Sequence, residues 1–154
     1  MATLIGLGLC IDDLTNTFSS ASAPPIKAGT IVEGDTGRWK FVYNYGSTTI
    51  TQYYPAIRYG TSTPGYGCAG DNYTVITNNI LGIAMTAIAS SEYGWVKCGG
   101  VMTCRVSTTA TAGYACSCIG TYLKAAAATN EMQVGVVVYG TAAAGTAIVD
   151  LKIA

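Results

Sequence analysis

Apolar, β-branched and aromatic residues run almost without interruption from Asn79 to Val106, NILGIAMTAIASSEYGWVKCGGVMTCRV, broken at Ser90-Ser91 and Gly99-Gly100. This punctuation predicts three successive strands, Ile80 to Ile88, Glu92 to Cys98 and Val101 to Val106, joined as an antiparallel meander. Gly82, Gly94 and the Gly99-Gly100 pair stand where a side chain would obstruct a bulge, a sharp bend or a close backbone approach. Downstream, Met132 to Tyr139 and Thr146 to Ile153 predict two closing strands around the turn material of Thr141 to Gly145. Upstream, Thr30 to Glu33 and Arg38 to Tyr43 predict two more across a Gly34-Asp35-Thr36-Gly37 turn, with Ser47 to Gln52 and Gly113 to Cys118 as shorter candidates. The core candidates are Ile83, Ile88, Tyr93, Trp95, Val96, Val136, Val138 and Val149. Lys124 to Ala128 has good helix propensity but is too short to hold a helix alone.

Two stretches depart from this pattern. Residues 4–11 alternate strictly, with Ile5, Leu7, Leu9 and Ile11 on one side and Gly6, Gly8 and Cys10 on the other. Such a segment suits an extended arm that adds itself to an exposed sheet edge, and equally an ordinary first strand. The polar tract Thr15 to Ser22, ending at Ala23-Pro24-Pro25, reads as a linker and favours the arm. Residues 52–73 are rich in Tyr, Gly and Pro, and read as a long loop. Tyr53, Tyr54, Tyr59 and Tyr66 there suit a protein interface, or a loop packed by its own rings. The expected organisation is therefore an arm and linker over residues 1–25 and one β domain over residues 26–154.

Composition narrows the function. Of 154 residues half are apolar and 10% charged, and eight basic residues balance eight acidic ones. So little charge implies that surface is hidden against partners. Scattered Lys and Arg argue against nucleic-acid binding, which needs them clustered. Histidine is absent, which removes the commonest general base and zinc ligand and argues against an enzyme. Leu4 to Leu9 lacks the basic start of a targeting segment and meets Asp12-Asp13 too soon. Met132 to Val149 carries no charge, yet Gly135, Gly140 and Gly145 divide it into buried strands and not a membrane helix.

The six cysteines raise metal and disulfide readings. Cys98, Cys104, Cys116 and Cys118 are spaced by five residues and by one, unlike the knuckles of structural zinc sites. Bridges between the 98/104 and 116/118 pairs are compatible with neighbouring strands, and buried thiols are the default in a reducing cytoplasm. Asp12-Asp13 and Glu33/Asp35 read as solvated or turn carboxylates. Neither a phosphate-cradling loop nor a nucleophile elbow is present. No cofactor, metal or catalytic residue is expected.

The central stretch also carries a resemblance. Leu81-Gly82-Ile83-Ala84, Ala87-Ile88, Glu92-Tyr93-Gly94-Trp95-Val96, Gly99 to Val106, Val134-Gly135-Val136 and Gly145 to Leu151 resemble the head decoration, or cement, proteins of tailed bacteriophages, the lambda-like capsid-stabilising trimers. The resemblance covers the second half of the chain and touches the first only through Ala28 to Val32 and Tyr73 to Asn78. It implies a mainly β fold, a compact antiparallel barrel or sandwich of the β-tulip type, with an extended N-terminal arm and little helix. It also implies a homotrimer on the outer surface of an expanded head that binds the major capsid protein, with no nucleic acid and no membrane. Ile5, Leu7, Leu9, Ile11, Tyr53, Tyr54, Tyr59 and Tyr66 are the candidate partner-binding residues. A protein of this kind would fold in the host cytoplasm before assembly. Two rival readings are another virion part, such as a head-fibre base or tail-tube protein, and a secreted, disulfide-bonded β-module binding glycans or a host surface.

Overall fold

A computed structural model describes residues 14–19, 26–59, 65–69, 80–106, 110–119, 122–125, 133–140 and 145–153. Eleven strands lie among them: β1 (Phe18–Ser19), β2 (Ile31–Gly34), β3 (Gly37–Asn44), β4 (Pro55–Arg58), β5 (Tyr66–Ala69), β6 (Ile80–Ala84), β7 (Glu92–Val106), β8 (Ala115–Ile119), β9 (Tyr122–Ala125), β10 (Gln133–Tyr139) and β11 (Gly145–Lys152). All join one sheet, so the fold is all-β.

The 15-residue β7 is its axis, because strand pairings return to it twice. In the first circuit β7 pairs with β6 (Ala84↔Val96), β6 with β4 (Pro55↔Ile83) and β4 with β5 (Ile57↔Cys68). β5 then pairs in parallel with β3 (Tyr43↔Tyr66), and β3 returns antiparallel to β7 (Phe41↔Trp95). The second circuit leaves the other half of β7 through β11 (Ile148↔Thr103), then β10 (Val137↔Val149), β8 (Val136↔Ala115) and β9 (Cys118↔Leu123). β9 closes it in parallel at Val106↔Leu123.

The predicted meander is thus corrected. Gly99-Gly100 is not a turn, and one strand runs through it. The reason is a close approach: Gly100 has φ 86°, and a Cβ there would lie 2.8 Å from the Thr36 carbonyl oxygen and 3.0 Å from Gly37 Cα. The glycines let the β2–β3 turn sit against β7, and the strand changes partners there, from β3 to β11. Ser47 to Gln52 contributes a single bridge, with Ile50 and Ile88 exchanging backbone bonds of 2.9 Å, instead of a strand. β6 accordingly ends at Ala84, short of Ile88. Where a helix-prone run begins at Lys124, the chain is in β9; residues 126–128 lie outside the described set.

Three clusters fill the fold. Val42, Ile50, Ala56, Leu81, Ala84, Ile88 and Val96 pack among β3, β4, β6 and β7. Their tightness shows at Gly94, where a Cβ would come 2.7 Å from Ile88 Cγ1. The second cluster, on the opposite face of β3 and β7, holds Leu14, Val32, Trp39, Phe41 and Trp95, with Phe18 and half-buried Tyr93 against it. Leu14, just before the tract read as linker, thus lies in the core, and the tract itself pairs Phe18–Ser19 with Tyr93 and Glu92 of β7. The largest cluster occupies the second circuit and extends to Ile57, Ile80 and Ile83. Asn44, fully buried, ties the first circuit's end: its side-chain amide donates to the Thr48 and Ile88 carbonyls, each at 2.9 Å, and accepts from the Gly46 N–H at 3.0 Å.

β10 overturns part of the expected core. Val138 is 50% exposed and Val136 half-buried, while Val134 and Val137 are buried. Register shifts fall between Gln133 and Gly135 against β8, and between Val137 and Tyr139 against β11. Each shift breaks strict alternation, so a face inferred from one end of the strand is wrong at the other.

Candidate functional site

The positions 39, 41, 43 and 45 carry Trp, Phe, Tyr and Tyr. Strand alternation gathers the first three on one face of β3, and the pairing Tyr43↔Tyr93 and Phe41↔Trp95 sets the β7 rings beside them. Rings then follow in sequence outward from the core. Phe41 lies 4.9 Å from Trp95 and stacks on Tyr93 at 5.7 Å; Tyr93 meets Tyr43 at 4.6 Å. Tyr43 contacts Tyr66 at 5.4 Å and Tyr45 at 6.1 Å, and Tyr45 contacts Tyr59 at 4.9 Å. Tyr45 is 56% exposed and Tyr59 40%. The ladder starts in the core and ends as rigid, amphipathic surface, a composition suited to a protein interface.

The proposed tyrosines are divided by the fold. Tyr59 and Tyr66 join the ladder, but the loop that was to carry them contains the β4 and β5 strands, paired antiparallel. Tyr53 packs against the largest cluster with φ 69°, and Tyr54 contacts Tyr122 at 5.6 Å. They form no part of the exposed group. Ile5, Leu7, Leu9 and Ile11 lie outside the described residues. Sequence reasoning missed Tyr43 and Tyr45 as surface-forming residues; the signal was the aromatic at every second position from 39 to 45.

A second exposed apolar group decorates the other circuit: Val101, Ile148, Val138, Tyr139 and Tyr114. An open groove of about 800 Å³ lies at the β2–β3 turn, lined by Glu33, Asp35, Arg38, Lys97, Val101 and the glycines at 34, 37, 99 and 100. Lys97 is buried there, donating to the Val101 carbonyl at 2.9 Å with its ammonium 5.1 Å from the Trp39 ring centre. Burial holds its pKa below the ordinary lysine value, offset in part by the Cys104 thiol; burial also lowers Lys40.

Cys98, Cys104 and Cys116 are buried thiols and carry no bridge. Cys98 donates to the Arg38 carbonyl at 3.4 Å and Cys104 to the Met102 carbonyl at 3.6 Å. Burial pushes Cys104 well above the ordinary thiol range, helped by Cys116, and pushes Cys116 itself to about 11 and Cys118 to about 12. Thiols held protonated in this way are poor nucleophiles. Among the described residues, no group of three or more His, Cys, Asp and Glu side chains is placed to hold a metal. In the same residues no helix is long and apolar enough to cross a membrane.

Comparison with solved structures gives this architecture a counterpart among phage head-fibre bases. The structure in question is the N base of the head fibre gp8.5 of bacteriophage phi29, matched at a TM-score of 0.51 and 7% identity over 75% of this chain and 96% of that one. At that identity the likeness is one of fold. No protein-family model and no curated protein matches the chain.

Proposed function

We propose that this chain is a structural component of a tailed-phage head. The observation that carries the reading is the shared fold, which spans nearly the whole of a head-fibre base. Its specific form is a cement: a homotrimer on the outer surface of the expanded shell that bridges subunits of the major capsid protein after folding in the host cytoplasm. The exposed ends of the aromatic ladder, Tyr45 and Tyr59, supply rigid surface for such contacts. Opening the shell would then also break cement contacts, so binding raises shell stability by linkage. The role calls for no catalysis, cofactor, nucleic acid or membrane.

A head-fibre base is the second reading, and the same fold match favours it equally. Co-sedimentation with expanded shells stripped of decoration, against unexpanded shells, separates the two. A cement saturates at lattice-wide stoichiometry and raises the melting temperature of expanded shells alone. A fibre base saturates at few copies per shell and leaves that temperature unchanged. Absence of binding to either shell overturns both.

A further inference from the structure

β2 is an edge strand whose only partner among the described residues is β3. Val32 and Gly34 lie opposite Trp39 and Gly37. The tight turn makes Gly34↔Gly37 a hydrogen-bonded pair, and alternation along the ladder makes Val32↔Trp39 the next. The N–H and C=O groups of Ile31 and Glu33 therefore point outward, along an edge that no other described strand pairs. Ile31 is also 47% exposed, leaving an apolar side chain on that rim. Glu33 and Gly34, at the end of this edge, also line the groove at the β2–β3 turn, together with Val101, 53% exposed.

The occupant is indicated by where the chain enters the fold. Leu14, fully buried, shares a cluster with Val32 and Trp39. The first 13 residues are thus joined to the fold at Leu14, in the cluster that Val32 of β2 helps to form. Asp12-Asp13 follow the anchor, and then comes the alternating run whose apolar side is Ile5, Leu7, Leu9 and Ile11. At about 3.3 Å per residue, a segment of that length can reach at most roughly 40 Å when extended. That spans a neighbour, since a chain of this length has a radius of gyration of roughly 15 Å. We infer that residues 4–11 of one copy add as a strand to the β2 edge of a second copy, their apolar side lying over Ile31 and Val101. Main-chain bonds to Ile31 and Glu33 hold the arm, and the apolar alternation selects its face.

The inference rests on the self-association in the proposed function and is independent of the shell. Its test is cross-linking in the full chain. Ile31→Cys and Glu33→Cys place a thiol on the exposed face of the edge, and Leu9→Cys, made with Cys10→Ser, places one on the matching face of an arriving arm. Under mild oxidation, one of the two edge variants combined with Leu9→Cys yields a covalent two-chain band on a non-reducing gel, which is absent when residue 9 stays Leu. Deleting residues 1–11, or Glu33→Pro on the edge, lowers the sedimentation coefficient from oligomer to monomer while the far-ultraviolet spectrum stays that of a β protein. An intrachain bridge from position 9 would mean that the chain's own arm fills the edge, and would overturn the inference. A bridge formed only in the presence of shells would hand the edge to the capsid protein, with the same result. If the wild-type chain sediments as a monomer, the proposed trimer fails together with the inference. If the arm-deleted chain stays oligomeric and no cross-link forms, the inference alone fails.

Discussion

The two circuits share one strand but are built from different material. The first is stacked with rings: Trp39, Phe41, Tyr43, Tyr93 and Trp95 line one face of β3 and β7, and the register between those strands is regular from Trp39 to Tyr43. The second is filled by small and medium side chains, Ala147, Val134, Val137, Val149 and the thiols of Cys104 and Cys116, and β10 slips register against both neighbours. Large rings fix a pairing because few alternative registers can hold them. Small residues tolerate bulges, and the second circuit contains them.

If that contrast is correct, Trp95→Ala is the most damaging of the changes considered. It removes a ring 1% exposed and 4.9 Å from Phe41, and urea denaturation is expected to register a loss of about 3–5 kcal/mol. Asn44→Ala removes the buried amide's bonds to the Gly46 N–H and to the Thr48 and Ile88 carbonyls, for a loss of about 2–3 kcal/mol by the same measurement. Ala at Gly94 overpacks Ile88 and costs about 1–3 kcal/mol. The sharper readout there is a double-mutant cycle, in which Gly94→Ala becomes cheaper in an Ile88→Ala background.

Alkaline pH probes the difference from the other side. The thiols of the second circuit have folded pKa values raised from 9.0, to about 11 for Cys116 and about 12 for Cys118, with Cys104 also raised. Unfolded chains lose these protons from about pH 9 while folded ones keep them, so this contribution to stability falls as pH climbs from 9 towards 12. Lys40 and Lys97 of the first circuit have pKa values lowered from 10.5. For them the charged form is disfavoured in the fold, and their contribution rises as pH passes from the folded value to 10.5. Chemical denaturation between pH 8 and 11 should therefore show Cys104→Ala flattening the alkaline decline and Lys97→Met steepening it. The smallest effect belongs to β10: Val138→Thr should change stability by no more than about 0.5 kcal/mol, because the side chain already faces solvent. Val137→Thr, two-sided in its burial, should cost clearly more.

The same contrast explains what could be read from the chain. The starts of β6 at Ile80 and β7 at Glu92, the two-residue turn before β3, and the positions of β10 and β11 follow from alternation and turn chemistry, which are local. Gly99-Gly100 was opaque because its cause is the β2–β3 turn, some sixty residues earlier in the sequence. The faces of β10 were opaque because a bulge is decided by two partner strands at once. Of the candidate site, Tyr59 and Tyr66 were legible as surface aromatics. Their separation from Tyr53 and Tyr54, and their union with Tyr43 and Tyr45, depend on the parallel pairing of β3 with β5, which has no local signature.

A strand shared by two circuits also sets an order in time. β7 meets its β3 partner as soon as it is synthesised, since residues 37–44 are already made. Its other half must wait for residues 145–152, and until they arrive Met102, Cys104 and Val106 have no β11 to pack against. Pairings this distant in sequence make folding slow. During that interval the nascent chain would present a half-zipped strand, and a ribosome stalled between β7 and β11 would expose it to proteases and to other unfinished copies.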